Sequence, residues 1–403
     1  MCAKTALTGK SDFMKLLLNI ESLIPPLTGI GNYTFNLIEQ LQAHDIENID
    51  CFMGSRHCTG EQALANCIAA SKQYAQTDAP APSQLRALLR SWTFTYRARE
   101  ILRNTQLRMR AGKFRDHVYH EPNFMLKAYA GSSVATIHDL SFIHYPQFHP
   151  QKRVEWLTAQ LPKTLKRADF LITDSDIIRD ELISDFGVNA DRVRTVYLGA
   201  SEAYAPQTTE QTRSTLERYG LQHDRYVLFV GTLEPRKGVD TLIDAWCRLP
   251  QALREQFPLV LAGAPGWHNE GLDERIKALE ISHGLRQLRF VPGSDLATLY
   301  AGAAVFAYPS LYEGFGLPVL EAMQSGVASI CTADTSMSEF TQGSALLVDR
   351  GNDEQLAAQL TDLLSNEQLR QSVADAGLLR AKEFSWKRCA KETLDIYRMV
   401  SPH

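Results

Sequence analysis

The chain has 403 residues, 44% apolar and 22% charged, with 42 Lys and Arg against 46 Asp and Glu for a net charge of −4. This composition excludes a disordered, collagen-like or disulfide-scaffold protein and gives no overall electrostatic case for nucleic-acid binding. The length suits two domains, each able to bury its own core. Seven cysteines, none in a CxxC pair, read as reduced thiols of a cytoplasmic protein rather than as disulfides or a zinc site. No apolar run reaches the ~18–20 residues that span a bilayer.

Residues 1–13 are polar and patternless, and they are left out of the expected fold. Met14 is either the natural start or the residue that follows a disordered leader. LLLNI at 16–20 reads as a buried strand, followed by a Pro/Gly loop and a helix from Tyr33 to Gln42. Strands are expected next at 116–120, 133–139, 170–175 and 193–198. In the second half they fall at 226–231, 258–263, 288–293, 304–310 and 327–332. Helical patterns separate most of them, which predicts βαβ units and parallel sheets. Residues 199–215 are polar, carry Pro206 and lack periodicity, so they read as a linker. The result is two doubly wound α/β halves. Such sheets bind ligands at the carboxyl ends of their strands.

The segment PSLYEGFGLPVLEAMQSG (309–326) follows a strand and opens a helix. Pro318 suits the first helical turn, and Gly314 and Gly316 admit close backbone approach to an anion. Glu313 and Glu321 bracket this loop, and carboxylates beside a phosphate site suit sugar or ribose hydroxyls. In FVGTLEPRKGVDTLIDAW (229–246) a strand ends at Gly231, and Arg236 and Lys237 follow in the loop. Two cations there can neutralise a diphosphate without a metal. Gly29-Ile30-Gly31 is an imperfect dinucleotide fingerprint, because Thr34 stands where a third glycine belongs. His138 and Asp139 lie at another strand's carboxyl end, as ligand contacts or as structural residues. Asp174-Ser175-Asp176 matches a metal-binding DxD string, but a helix cap explains it more cheaply. Residues 85–115 hold nine Arg and Lys against one acid, with Trp92, Phe94 and Tyr96 interleaved. That composition suits an anionic membrane surface, a nucleic acid or a solvated helix face.

Together these segments resemble the retaining glycosyltransferases of family four, which have the GT-B fold of two Rossmann-like domains facing across a cleft. The resemblance runs from Met14 to the end. It rests on Glu-x7-Glu around GFGLPVLEAM, on GTLEPRKG upstream, and on PLTGIGNYT and TIHDLSF in the first half. NIESLIPPLTGIGNYT looks most like bacterial mannosyltransferases of O-antigen and exopolysaccharide assembly. The resemblance implies an acceptor-side domain over 14–203, a nucleotide-sugar domain over 204–383, and a helix over 384–403 that crosses back to the first domain.

It also implies site roles. Arg236 and Lys237 hold the diphosphate, helped by the amides of Gly316 and Leu317, with Gly314 and Phe315 in the same loop. Gly231 and Thr232 belong to the donor site. Glu321 takes the ribose hydroxyls, Glu313 contacts the transferred sugar, and the base lies near Val291. Gly29 and Gly31 approach the donor from the other domain. His138 contacts the donor sugar and reaction centre, with Asp139 nearby. No metal or other cofactor is expected. The implied activity moves mannose from GDP-mannose to a lipid-linked or growing cell-surface polysaccharide. GDP-D-rhamnose or a UDP-sugar is the rival donor, and a UDP-sugar 2-epimerase is the rival enzyme. The expected location is the inner face of the cytoplasmic membrane, touched peripherally through 85–115. Other polysaccharide-assembly enzymes are the expected protein partners.

Overall fold

The computed structural model describes residues 14–76, 113–266, 270–282, 284–289 and 291–401. The leader, and the basic stretch apart from residues 113–115, lie outside the described residues.

The first half is a seven-stranded sheet made of β1 (Met14–Asn19), β2 (Ile46–Met53), β3 (Arg56–Thr59), β4 (His117–Glu121), β5 (Ser133–Ile137), β6 (Phe170–Thr173) and β7 (Val193–Thr195). The order is β3-β2-β1-β4-β5-β6-β7, and only the β2–β3 pair is antiparallel. The second half has six parallel strands: β8 (Val227–Val230), β9 (Leu259–Ala262), β10 (Arg286–Leu288), β11 (Val305–Tyr308), β12 (Ala328–Thr332) and β13 (Leu346–Val348). Their order is β10-β9-β8-β11-β12-β13. In both sheets the chain runs outward on one side, returns to the centre and runs outward on the other. The switch points fall between β1 and β4 and between β8 and β11. Loops leaving those strands splay apart and leave a crevice. The loops 231–238 and 309–316 are the two that flank the second switch point.

The apolar runs became strands because helices cover both faces of each sheet. Leu16, Leu17 and Leu18 of β1 and Leu228 and Phe229 of β8 have no exposed surface. Several boundaries differ from the sequence reading. The first helix is Gly29–Leu41, so both glycines sit inside it rather than in the loop before it. Within the expected linker, Thr209–Arg218 is helical, with Thr208 and Gln211 closing a capping box. The strand expected at 288–293 ends at Leu288, and Gly293 already opens the next helix. β2, β3 and β13 were not anticipated.

The chain crosses between the halves twice. Ala200, on the outward crossing, pairs with Ser385 on the return. The last helix, Trp386–Val400, then packs against Gly29–Leu41 of the first half. Tyr397 Oη bonds to His120 Nδ1 at 2.6 Å, and His120 Nε2 bonds to Thr136 Oγ1 at 2.8 Å. Burial, reinforced by the nearby charge of His138, pushes the His120 pKa down to about 3. A neutral ring therefore pins this helix under the first sheet. Among the described residues no helix is long and apolar enough to cross a membrane.

Candidate active site

Both switch points open on one cavity of about 270 Å³ between the halves. The first half supplies Gly29, Ile30, His138, Asp139, Asp174 and Leu198 to its walls. The second supplies Gly231, Thr232, Lys237, Tyr308 and the run from Glu313 to Pro318.

Arg236 and Lys237 sit on a short turn, Pro235–Lys237, after β8. Lys237 Nζ donates to Glu313 Oε1 at 2.6 Å. Glu313 also accepts from Ser310 Oγ at 2.7 Å and Tyr308 Oη at 3.1 Å. Burial opposes its charge, but Lys237 and Arg236 outweigh that and hold its carboxyl below the usual range. Arg236 donates to Glu234 Oε1 at 2.8 Å and to the Tyr312 carbonyl at 2.6 Å, and it lies 3.5 Å from Glu313. Burial disfavours its charge, and the three acids Glu313, Asp139 and Glu234 restore it. Its Nε is buried without a hydrogen-bond partner among the described residues. For Lys237, burial and the Arg236 charge win over Glu313 and lower the pKa.

Gly316, with φ of 108°, caps the helix Leu317–Gln324, and Pro318 stands in its first turn. The free amides of that turn end at the cavity. Glu321 lies one turn further on. Tyr300 Oη donates to its Oε2 at 2.9 Å. Burial still pushes its carboxyl up to about 7.

His138 is buried against the first sheet, and neither ring nitrogen is left for a ligand. Nε2–H donates to the Pro122 carbonyl at 2.8 Å, and Nδ1 pairs with Asp174 Oδ2 at 2.7 Å. Burial opposes the imidazolium, yet Asp174, the carbonyl and Asp139 outweigh it and raise the pKa. The backbone carbonyl of His138 meets Gly314 of the opposite half, where a Cβ would overlap it. Asp139 accepts from Ser141 N at 2.9 Å and Ser141 Oγ at 2.7 Å, facing Arg236 across the cleft.

The predicted site residues do not all share one position. Gly29, His138, Asp139, Gly231, Thr232, Lys237, Glu313, Gly314, Phe315, Gly316 and Leu317 line the cavity. Arg236, Glu321, Gly31 and Val291 stand outside its walls. Gly31 packs against the Ser22 carbonyl and Leu27, whereas the space beside Gly29 is open. Val291 packs on the hydrophobic core. In the DxD string, Ser175 caps the helix Asp176–Phe186 through the Ile178 amide. Asp174 turns to His138, and Asp176 accepts from Thr195 Oγ1 at 2.5 Å. The two acids serve separate neighbours. Among the described residues no group of three His, Cys, Asp or Glu gathers to hold a metal ion.

Sequence reasoning missed four contributors. Tyr308 and Ser310 lie in and just after β11, beside a motif already in view. Tyr312, one residue before Glu313, buries its ring in the first-half core, where its hydroxyl bonds Glu181 and the Leu140 amide. Glu339 accepts from the amides of Asp176 at 2.8 Å and Ile177 at 3.0 Å, capping a helix of the opposite half. Tyr312 and Glu339 hold the halves together.

Two family models match the chain: Glycosyltransferase Family 4 over residues 27–203 and Glycosyl transferases group 1 over residues 214–380. The O-antigen chain mannosyltransferase B of Escherichia coli is 33% identical over 388 residues, covering 96% of this chain and 100% of its own. Among solved structures, HepE of Anabaena in complex with UDP and glucose superposes with a TM-score of 0.69 at 16% identity, over 96% of this chain and 99% of its own. WaaG, a glycosyltransferase involved in lipopolysaccharide biosynthesis, also gives 0.69 at 16% identity, over 95% and 99%. These likenesses establish the GT-B fold.

Proposed function

The chain belongs to the family 4 glycosyltransferases, and on that premise we propose that it is a retaining mannosyltransferase using GDP-mannose. The acceptor is a lipid-linked or growing cell-surface polysaccharide. One observation carries this reading: Lys237 bonds Glu313 at 2.6 Å on a wall that faces His138 and Asp139 across the cavity. A full-length relative named as an O-antigen chain mannosyltransferase supports the sugar and the pathway.

The chemistry follows from charge. As the glycosidic bond breaks, negative charge grows on the leaving diphosphate. Lys237 and the amides of Gly316 and Leu317 meet it at fixed positions, and Arg236 adds its field from behind Glu313. Preorganised charge in a site closed to water stabilises a transition state without reorganising. These groups suffice without a metal. Glu313, fixed by Lys237, Ser310 and Tyr308, holds the sugar hydroxyls. It is too engaged to attack the anomeric carbon, so no covalent nucleophile is assigned. The leaving phosphate takes the acceptor proton on the same face, which preserves configuration. His138 works through its backbone and ring, since its nitrogens are engaged by Pro122 and Asp174. Glu321 takes the ribose. Residues 85–115 hold the enzyme on the inner face of the cytoplasmic membrane, beside other assembly enzymes.

A second reading has its own support. HepE was solved with UDP and glucose, so a UDP-sugar donor is the alternative. The test is transfer from GDP-mannose and from UDP-sugars to a lipid-linked glycan, with the product's anomeric configuration read by NMR. GDP-mannose should be used and its configuration retained. The K237A variant should lose transfer by about a hundredfold or more while its thermal unfolding stays cooperative. Equal turnover in K237A, or an inverted product, would sink the assignment.

A further inference from the structure

The short helix Ser336–Thr341 joins the glycine loop of the second half to the first half. At its start, Ser336 Oγ donates to the carbonyls of Glu313 at 2.8 Å and Phe315 at 3.0 Å. Met337 fills the space that a Cβ on Gly316 would need. Further along, Glu339 reaches across to the other half. Its Oε1 accepts from the Asp176 amide and from Tyr197 Oη, both at 2.8 Å, and its Oε2 accepts from the Ile177 amide at 3.0 Å. Those two amides open the helix Asp176–Phe186 and have no partner within it. A carboxylate also suits the positive end of a helix. The same helix is gripped a second time, where Glu181 accepts from Tyr312, the residue before Glu313. Just upstream of it stands Asp174, whose Oδ2 holds His138 Nδ1 at 2.7 Å.

We propose that Glu339 is a positioning residue for sugar transfer, fixing the helix Asp176–Phe186 against the glycine loop and so setting His138 in register with Lys237 and Glu313 across the cavity. The inference rests on the transfer role given to that cavity above. Ser336 ties the loop to the helix that carries Glu339, so a displacement of the loop is passed to the first half. Glutamine at 339 keeps the size of the side chain. Its N–H group, however, faces one of the two helix amides, where only an acceptor fits. Half of the cap is lost, and no group on the cavity wall is changed.

The test compares the wild type with Glu339→Gln in three measurements. The groups given to the diphosphate all belong to the second half, so GDP affinity by calorimetry should be unchanged. Transfer from GDP-mannose to a lipid-linked glycan should fall by about ten- to a hundredfold in kcat, with KM for GDP-mannose unchanged. Small-angle X-ray scattering should give the GDP-bound variant a larger radius of gyration than the GDP-bound wild type. An unchanged kcat or an unchanged radius overturns the proposal. A loss of GDP affinity as large as the loss of kcat also overturns it, because Glu339 would then support the nucleotide site and not the register of the halves. A wild type that does not use GDP-mannose overturns the transfer reading instead. The scattering then decides the role of Glu339 by itself, and equal radii overturn it.

Discussion

Glu121 shows how far a single buried group can shape the behaviour of the first half. Its carboxyl accepts from Asn19 Nδ2 at 2.8 Å and Tyr119 Oη at 2.6 Å, and it has almost no exposed surface. Burial pushes its pKa up to about 7 against the opposing pull of Lys127 and both hydrogen bonds. The unfolded value is about 4.3. Between those two values the unfolded chain loses the proton and the folded chain keeps it, so stability falls as pH rises. The loss is on the order of 3 kcal/mol across that window. Glutamine cannot ionise. Denaturant unfolding of the wild type and Glu121→Gln at pH 5 and pH 8 should therefore show the balance moving toward the glutamine by about that amount. A difference that is the same at both pH values would contradict it. Glu321, pushed up to the same range, acts alike in both proteins and cancels from the comparison.

At the scale of elements, what could be read from sequence was what local composition decides. β1, β5, β6, β8, β9, β11 and β12 are apolar runs because both faces are covered, and such runs stand out. β3 is Arg-His-Cys-Thr and β13 is three residues long, so neither carries a pattern. Thr209–Arg218 buries only Thr212 and Leu216, too little for a visible apolar stripe. Gly29 and Gly31 signal a loop by propensity, yet the packing of Gly31 on the Ser22 carbonyl and Leu27 favours the helix. The site divides the same way. Lys237, Glu313 and the glycine loop are contiguous in sequence and legible. The Asp174 bond to His138 and the Glu339 cap join distant segments, and only the fold brings them together.

Gly314 belongs to this scale as well. Its backbone is not left-handed, so alanine there carries no intrinsic strain. The atoms nearest an added methyl belong to the His138 carbonyl and Asp139 of the opposite half. Gly314→Ala should therefore leave nucleotide binding to the second half nearly intact while holding the two loops apart. Misplacement of that size should lower transfer by about a hundredfold. Equal losses in binding and in turnover would contradict a closing role for this contact.

At the scale of the whole molecule, two doubly wound sheets set their switch points against each other, and the charges follow that arrangement. The second half presents Lys237 and helix amides to the cavity. The first presents His138 and Asp139. Tyr312 and Glu339 fasten one half to the other, and the last helix returns to lock under the first sheet. A molecule built this way should recognise a nucleoside diphosphate through fixed cations and amides alone. The most direct measurement is thermal stabilisation by GDP, GDP-mannose, UDP and ADP, each with and without EDTA. A ligand that binds only the folded state at a hundred times its dissociation constant adds about 2.7 kcal/mol. GDP and GDP-mannose should raise the unfolding temperature, and EDTA should not change the shift. A shift confined to UDP would contradict the GDP-sugar donor, and one that vanishes with EDTA would contradict metal-independent binding.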